Sequence, residues 1–447
     1  MPSIMPTTLP LLSAASPDTW IAQWRGQAIS HSLFLAHVGN VAGRLPATRF
    51  IFNLCEDRYL FLVAFAAVGI NGQSNLLPSN RASLHLRDLA EDYPDSQRIT
   101  DEEVESWLVS AASADPAMPL IPTLSAEQVV AITFTSGSTG RAKPHPKRWS
   151  ELIGGAYQTR RRFGLVPGMA LVATVPPQHM YGLETTIMTP LVNGIYVHAG
   201  RPFFPQDVYT ALESMPPPRI LVTTPVHLRA CVQSELRWPA MAFLVSATAP
   251  LSATLAAQAE IAFDAPVLEI YGCTEAGSIA SRRTLDGDLW RLYDGFHLRD
   301  GVLSGAHLPE PIPLSDQTEN HDQTQFKLLG RFADLINLAG KRTSLEYLNH
   351  QLNQIEGVVE GVFWLPEESE GAGENEIRRL MAAVVAPNVS ERQLLAALAE
   401  RLDPVFLPRP LLKIEHLPRN ETGKVTREAL LTLAARSQPA ANNDHGL

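Results

Sequence analysis

The chain has 447 residues, with 36 Lys and Arg against 46 Asp and Glu, a net charge of -10. That length is enough for two or three domains with a large core. Hydrophobic residues at 45% and charged residues at 18% suit a soluble globular protein, and the acidic balance argues against bulk nucleic-acid binding. The three cysteines, Cys55, Cys231 and Cys273, are far apart and show no CxxC or metal-ligand spacing, which points to a reducing compartment.

The opening "MPSIMPTTLP" has no basic segment ahead of an apolar one, so no secretory signal is expected and the expected location is the cytoplasm. Residues 19–130 read as alternating helices and short strands, with turns at "GRLP" and "LLPSNR". The apolar run "LFLVAFAAVGI", Leu60 to Ile70, is too short to span a bilayer; it predicts a buried helix and no membrane insertion.

From 125 to 335 one rhythm repeats. A β-rich run ("VVAITF", "MALVATVP", "RILVTTP", "AFLVSATAP", "APVLEIYG") ends in a loop of small residues, and a helix is expected to follow. This predicts an α/β fold, a large domain of helix-covered β-sheets with ligand loops at the strand C-terminal ends. A polar stretch, "PLSDQTENHDQTQ", precedes a change of pattern. Thr343 and Glu346 have the spacing of a capping box, with Leu345, Leu348, Leu352 and Ile355 on one helix face. A strand "MAAVVAP" and a helix "SERQLLAALAERL" follow. The expected organisation is a domain over 1–332 and a small α+β domain over 333–447. "PEESEGAGENE" reads as a solvated loop and the end "SQPAANNDHGL" as disordered.

The loop "TSGSTGRAK" supplies Thr135, Ser136, Gly137, Ser138, Thr139, Gly140 and Lys143. Its glycines let backbone N–H groups approach an anion, and its hydroxyls add donors. A plain strand-to-helix turn would read the same way. It is not a Walker A loop, because Gly137 and Gly140 stand too close and Lys143 lies too far on. In "EIYGCTEAG", Thr274 and Glu275 follow a tight turn at Gly272: a hydroxyl can bond a phosphate oxygen and a carboxylate can hold Mg²⁺ against it. Tyr271 offers a flat face for a purine, or is a core tyrosine.

Further pieces stand in a fixed order: "PPQHMYGLE", "VSATAPLS", "LSDQTE", "LGRFADLINLAGKR" and "LPRNETGKVTREAL". With them the chain resembles the adenylate-forming ligases: acyl- and aryl-CoA synthetases, peptide-synthetase adenylation domains and luciferases. The resemblance runs from about Gln128 to Leu430. It implies ATP and Mg²⁺ as cofactors and two steps: a carboxylate attacks the ATP α-phosphate, then a thiol takes the acyl group and AMP leaves. The first step concentrates negative charge at phosphorus, so it needs donors, a metal and a cation. The resemblance assigns "TSGSTGRAK" to the β- and γ-phosphates, Thr274 to the α-phosphate and Glu275 to Mg²⁺. It sets Ser246 and Ala247 beside adenine, gives Asp316 and Arg331 the ribose, and makes Lys424 the lysine of a mobile lid. Arg342 matches a family arginine. The chain departs from the pattern at Ala333, beside Asp334, where the family has a charged hinge residue, and at Asn337, where it has lysine. Its phosphate loop also comes early, at 135.

The acid is expected near "PPQHMYGLE". His179 resembles the residue at the pocket mouth, or is a core histidine. Tyr181, Gly182, Thr223, Thr224, Pro225, Ser246 and Ile270 are the other expected lining. Bulky Tyr181 and Ile270 suggest a short, flat pocket. The compact form resembles ligases of bacterial aryl-polyene and xanthomonadin-type pigment clusters, which implies a hydroxy-aromatic acid loaded on an acyl carrier protein. A CoA ligase and a non-catalytic adenylate-binding protein are the alternatives.

Overall fold

The computed structural model describes residues 7–12, 19–78, 81, 83–108, 120–136, 142–331, 335–338, 341–365, 380–419, 425–426 and 429–433. The chain divides into two compact units, Met1–His297 with Leu303–Ile312 and Leu298–Val302 with Pro313–Leu447.

The first unit holds two large sheets and a small one, Thr8–Pro10 paired with Thr123–Ser125. One large sheet runs Ser96–Ile99, Phe50–Asn53, Ser74–Leu77, Val129–Ser136, Ala142–Arg148; its first four strands are parallel and the last is antiparallel. In the other, Val267–Cys273, Phe243–Ser246, Arg219–Thr223, Ala170–Ala173, Tyr196–His198 and Trp20–Trp24 lie side by side and parallel. Gly277–Arg283 continues it antiparallel beyond Val267–Cys273. Because these strands are parallel, their C-terminal ends share one edge.

The five β-rich runs are all strands, and the fold is the α/β architecture the rhythm predicts. Two of them break the expected order. Val129–Ser136 and Val267–Cys273 are followed by antiparallel strands rather than helices. Both strands are therefore paired with the next strand in the chain instead of crossing over through a helix.

Helix Arg58–Ile70 is apolar all round and buried from Arg58 to Gly69. Its N-cap Asp57 accepts from the Tyr59 and Leu60 amides. Arg58 is the one charge inside it. Its guanidinium donates to the carbonyls of Ala173, Val175, His198 and Gly200, tying together the ends of two neighbouring strands. Burial lowers its pKa to about 9, so the charge persists at neutral pH.

In the second unit, Asp316–Asn320 and Gln325–Arg331 form an antiparallel hairpin. Leu335–Leu338 pairs with Lys341–Ser344. Helix Leu345–Asn353 places Leu348 and Leu352 in a core with Phe363, Ala382, Leu394 and Leu398. Ser390 caps helix Glu391–Ala399 through a capping box with Gln393. Ala333, Asp334, residues 366–376 and the terminal segment from 437 lie outside the described residues.

Candidate active site

The shared edge of the second sheet carries most of the expected residues. Strand Val267–Cys273 hands the chain to a turn, Thr274–Ala276, and Gly277–Arg283 returns antiparallel. Gly277 has φ +76°, the left-handed conformation that closes such a three-residue turn. A Cβ on Gly272 would lie 2.2 Å from the Gly277 carbonyl oxygen, so both glycines are required by close approach. Buried Glu269 anchors the hairpin. It accepts from Arg282, from Thr284 Oγ1 and from the Leu251 amide, at 2.8–2.9 Å.

Thr274 and Glu275 sit half-buried in the turn. The Glu275 carboxylate is 38% exposed and lies 3.8 Å from His145 Nδ1. Among the described residues, no group of three His, Cys, Asp or Glu could hold a metal by itself. One open carboxylate suits Mg²⁺, which keeps waters and takes its other ligands from phosphate. Tyr271 is half-buried with its ring centroid 5.7 Å from that of Trp290.

On the other hairpin, Thr135 of Val129–Ser136 stands opposite exposed Lys143 of Ala142–Arg148. Thr135 Oγ1 lies 2.9 Å from His145 Nε2. Gly137, Ser138, Thr139 and Gly140 lie outside the described residues, as does the Ser136 side chain. His145 and Lys147 alternate inward along the return strand and are buried. Burial pulls both below their ordinary pKa values.

His179 is the N-cap of a short helix that widens into a π-helical segment, Leu183–Met188. Thr185 and Thr186 donate to the carbonyls of Tyr181 and Gly182 within it. Tyr181 Oη donates to the carbonyls of Thr223 and Val245, at 3.2 and 3.1 Å, and so spans the ends of two strands. Thr223 and Ser246 face each other in register, and their hydroxyls differ. Thr223 Oγ1 bonds Thr174 Oγ1 at 3.0 Å, whereas Ser246 Oγ is buried without a partner among the described residues. Thr224 Oγ1 lies 3.0 Å from His227 Nδ1, and Pro225 opens the following helix.

The Thr223 hydroxyl thus already has one partner, and the Ser246 hydroxyl has none among the described residues. Ile270 packs in the main core, and Gly182 is required because a Cβ there would fall 1.9 Å from the Pro176 carbonyl oxygen. Ala247 is buried, and the next residue, Thr248, has φ +77°. That conformation is strained for a β-branched residue.

In the second unit, Asp316 and Arg331 face each other across their hairpin. Arg342 pairs with Asn337, and the Arg331 and Arg342 side chains are outside what is described. Lys424 also lies outside the described residues.

Four residues beside the turn escape the motif reading: His145, Lys147, Glu184 and His307. A lone carboxylate in "MYGLETTIMTPL" and the alternation H-x-K in "PHPKR" were the available signals.

A family model described as AMP-binding enzyme matches residues 36–296, more than half of the chain. The chain belongs to the AMP-binding enzyme family. These are adenylate-forming acid ligases that use ATP with Mg²⁺, and the chain is an AMP-forming acid ligase. It is 29% identical over 343 residues to a 4-coumarate--CoA ligase of Halorhodospira halophila, covering 73% of this chain and 83% of that one. It is 21% identical over 319 residues to a 3,4-dihydroxybenzoate--[aryl-carrier protein] ligase of Bacillus anthracis, covering 68% and 74%. ATP-bound MatB from Rhodopseudomonas palustris superimposes with a TM-score of 0.79 at 20% identity, covering 94% of this chain and 97% of that one. The superposition shows the shared fold. No described helix is long and apolar enough to cross a membrane.

Proposed function

We propose that this ligase activates a small hydroxy-aromatic acid as its acyl-adenylate and passes it to the phosphopantetheine thiol of an acyl carrier protein. The observation that carries the aromatic reading is the pair Tyr181 and Ser246. The tyrosine is fixed across the strand ends by two carbonyls, so a flat ring fits beside it better than a long alkyl chain. The Ser246 hydroxyl, next to the Val245 carbonyl that Tyr181 uses, is the one of the four expected lining hydroxyls without a partner among the described residues. A buried hydroxyl left unpaired costs roughly 1–3 kcal/mol, and a ring hydroxyl would satisfy it.

In the first step the acid's carboxylate oxygen bonds to the α-phosphorus as the bond to pyrophosphate breaks. Thr274 donates to the α-phosphate. Glu275 holds Mg²⁺, which neutralises phosphate charge when bound. Residues Thr135 to Gly140 and Lys143 surround the β- and γ-phosphates. Asp316 accepts from both ribose hydroxyls, an acceptor-only role a carboxylate fits. Lys424, on a lid formed by residues 333–447, reaches the carboxylate and α-phosphate as a compact cation on a long stem. In the second step the thiol sulfur bonds to the acyl carbon and AMP leaves.

The pigment-cluster type of ligase supports the carrier-protein acceptor, and the aryl-carrier ligase relative is consistent with it. The second reading is a CoA acceptor, favoured by the 4-coumarate--CoA ligase relative, which is matched over most of its length. Mass spectrometry separates the two. The enzyme is incubated with ATP, Mg²⁺, an aromatic acid and either a phosphopantetheinylated carrier protein or CoA. Acylated carrier with little acyl-CoA is expected; acyl-CoA alone would replace the first reading with the second.

A further inference from the structure

We propose that Lys147 and Glu184 are positioning residues that hold the Thr274–Ser278 turn in the shape its metal and phosphate contacts require. The proposal rests on the reading of Thr274 and Glu275 given above.

Four successive residues of the turn are met by three side chains. Lys147 Nζ donates to the Glu275 carbonyl. His307 faces the Ala276 backbone. Glu184 packs against Gly277, where a Cβ would fall 2.1 Å from its Oε1. It then accepts from the Ser278 amide at 3.0 Å and from Ser278 Oγ at 2.6 Å. His145 adds a further contact, to the Glu275 carboxylate. These side chains come from the return strand of the phosphate hairpin, from the π-helical segment and from the chain after Gly305, so no local preference of "CTEAG" dictates the arrangement.

Lys147 and Glu184 are 3% and 4% exposed. Neither forms an ion pair within 4 Å among the described residues, so each spends its hydrogen bonds on the turn. A fold that needed only packing would put apolar side chains there, because burying a charge is costly. The charges face the Glu275 carbonyl and the Ser278 amide, so they fix the backbone that carries the Glu275 carboxylate. That is how outer partners tune a metal ligand. Lys147 also lies on the strand that carries the phosphate loop, so it ties two nucleotide loops together.

The test uses the full-length enzyme and the variants Lys147→Met, Ser278→Ala and Glu275→Gln. Two quantities are read: the Mg²⁺ concentration giving half-maximal pyrophosphate release at saturating ATP, and the rise in melting temperature on adding Mg²⁺ and ATP. Lys147→Met should raise the half-saturating Mg²⁺ about tenfold, the usual effect of losing a ligand's supporting partner, and shrink the melting shift, while the ligand-free protein melts no lower than wild type. Ser278→Ala, a smaller change that keeps Glu184 in place, should move both readouts the same way and by less. Combining Lys147→Met with Glu275→Gln should cost no more than Glu275→Gln alone, since both act through one ligand. If Glu275→Gln shifts the Mg²⁺ dependence and Lys147→Met does not, or if the two losses multiply, the positioning role is wrong and the metal-ligand reading stands. If Glu275→Gln itself leaves the Mg²⁺ dependence unchanged, both are wrong.

Discussion

Two stretches of the same sheet edge are built from different materials. At the Thr274–Ser278 turn, buried Lys147 and Glu184 hold the backbone by charge-assisted bonds. On the next two strands, at Ser246 and Thr223, neutral bonds do the work: Thr174 to Thr223, and Tyr181 to two carbonyls. Charge-assisted bonds are roughly twice as strong as neutral ones, and a buried charge is costly to move. The turn is therefore fixed in shape, which suits a triphosphate that is the same in every turnover. The neutral end can be altered one hydroxyl or one ring at a time, which suits a site that selects among acids.

The comparison can be broken at several points. The largest effect is expected at Lys424, proposed to serve only the charged end. Lys424→Ala should slow adenylate formation by about 10²–10³, as loss of one preorganised donor does, yet spare thiol transfer from a supplied acyl-adenylate. Equal losses in the two half-reactions would show that the lysine is not specific to the first step. Asp316→Ala comes next. Charge-assisted bonds contribute roughly 1.5–3 kcal/mol each, so losing two ribose bonds should weaken ATP at least about tenfold by calorimetry. Unchanged ATP affinity would remove Asp316 from the site.

The neutral end gives the smallest and most diagnostic pair. Thr223→Val leaves the buried Thr174 hydroxyl without its partner, so stability measured by denaturant unfolding should fall by about 1–3 kcal/mol. Ser246→Ala removes a hydroxyl that is buried without a partner, so stability should change by less than about 0.5 kcal/mol. Its effect should appear instead as lost preference for hydroxybenzoate over benzoate. The reverse pattern, a costly Ser246→Ala and a harmless Thr223→Val, would mean the two hydroxyls have been assigned the wrong way round.

The contrast also separates what could be read in the sequence from what could not. The parallel strands announced themselves as apolar runs ending in small residues, and helix Arg58–Ile70 as an unbroken apolar stretch. The turn "CTEAG" was visible by residue type. Its supports were not. Strand Ala142–Arg148 reads "AKPHPKR", polar and rich in proline, and nothing in it signals a strand. It is an edge strand, where proline is tolerated, and its inward positions are His145 and Lys147 rather than apolar residues. The hairpin and its charged partners were hidden by one cause, a strand whose buried face is ionic. Arg58 was hidden similarly, since its four carbonyl partners come from strand ends more than 100 residues away. Thr223 and Ser246 looked equivalent because the Thr174 bond that separates them exists only between neighbouring strands.

The central claim is that this edge activates an aromatic acid at the expense of ATP. It is tested most directly by pyrophosphate release from the full-length enzyme, Mg²⁺ and ATP with hydroxybenzoates, hydroxycinnamates and straight-chain fatty acids offered one at a time. Each methylene that cannot be buried forgoes about 0.8 kcal/mol, so long-chain acids should fall well behind. The account predicts that a hydroxylated aromatic acid gives the highest kcat/KM. If octanoate outruns every aromatic acid, the reading of Tyr181 and Ser246 is contradicted and the enzyme is a medium-chain acyl ligase.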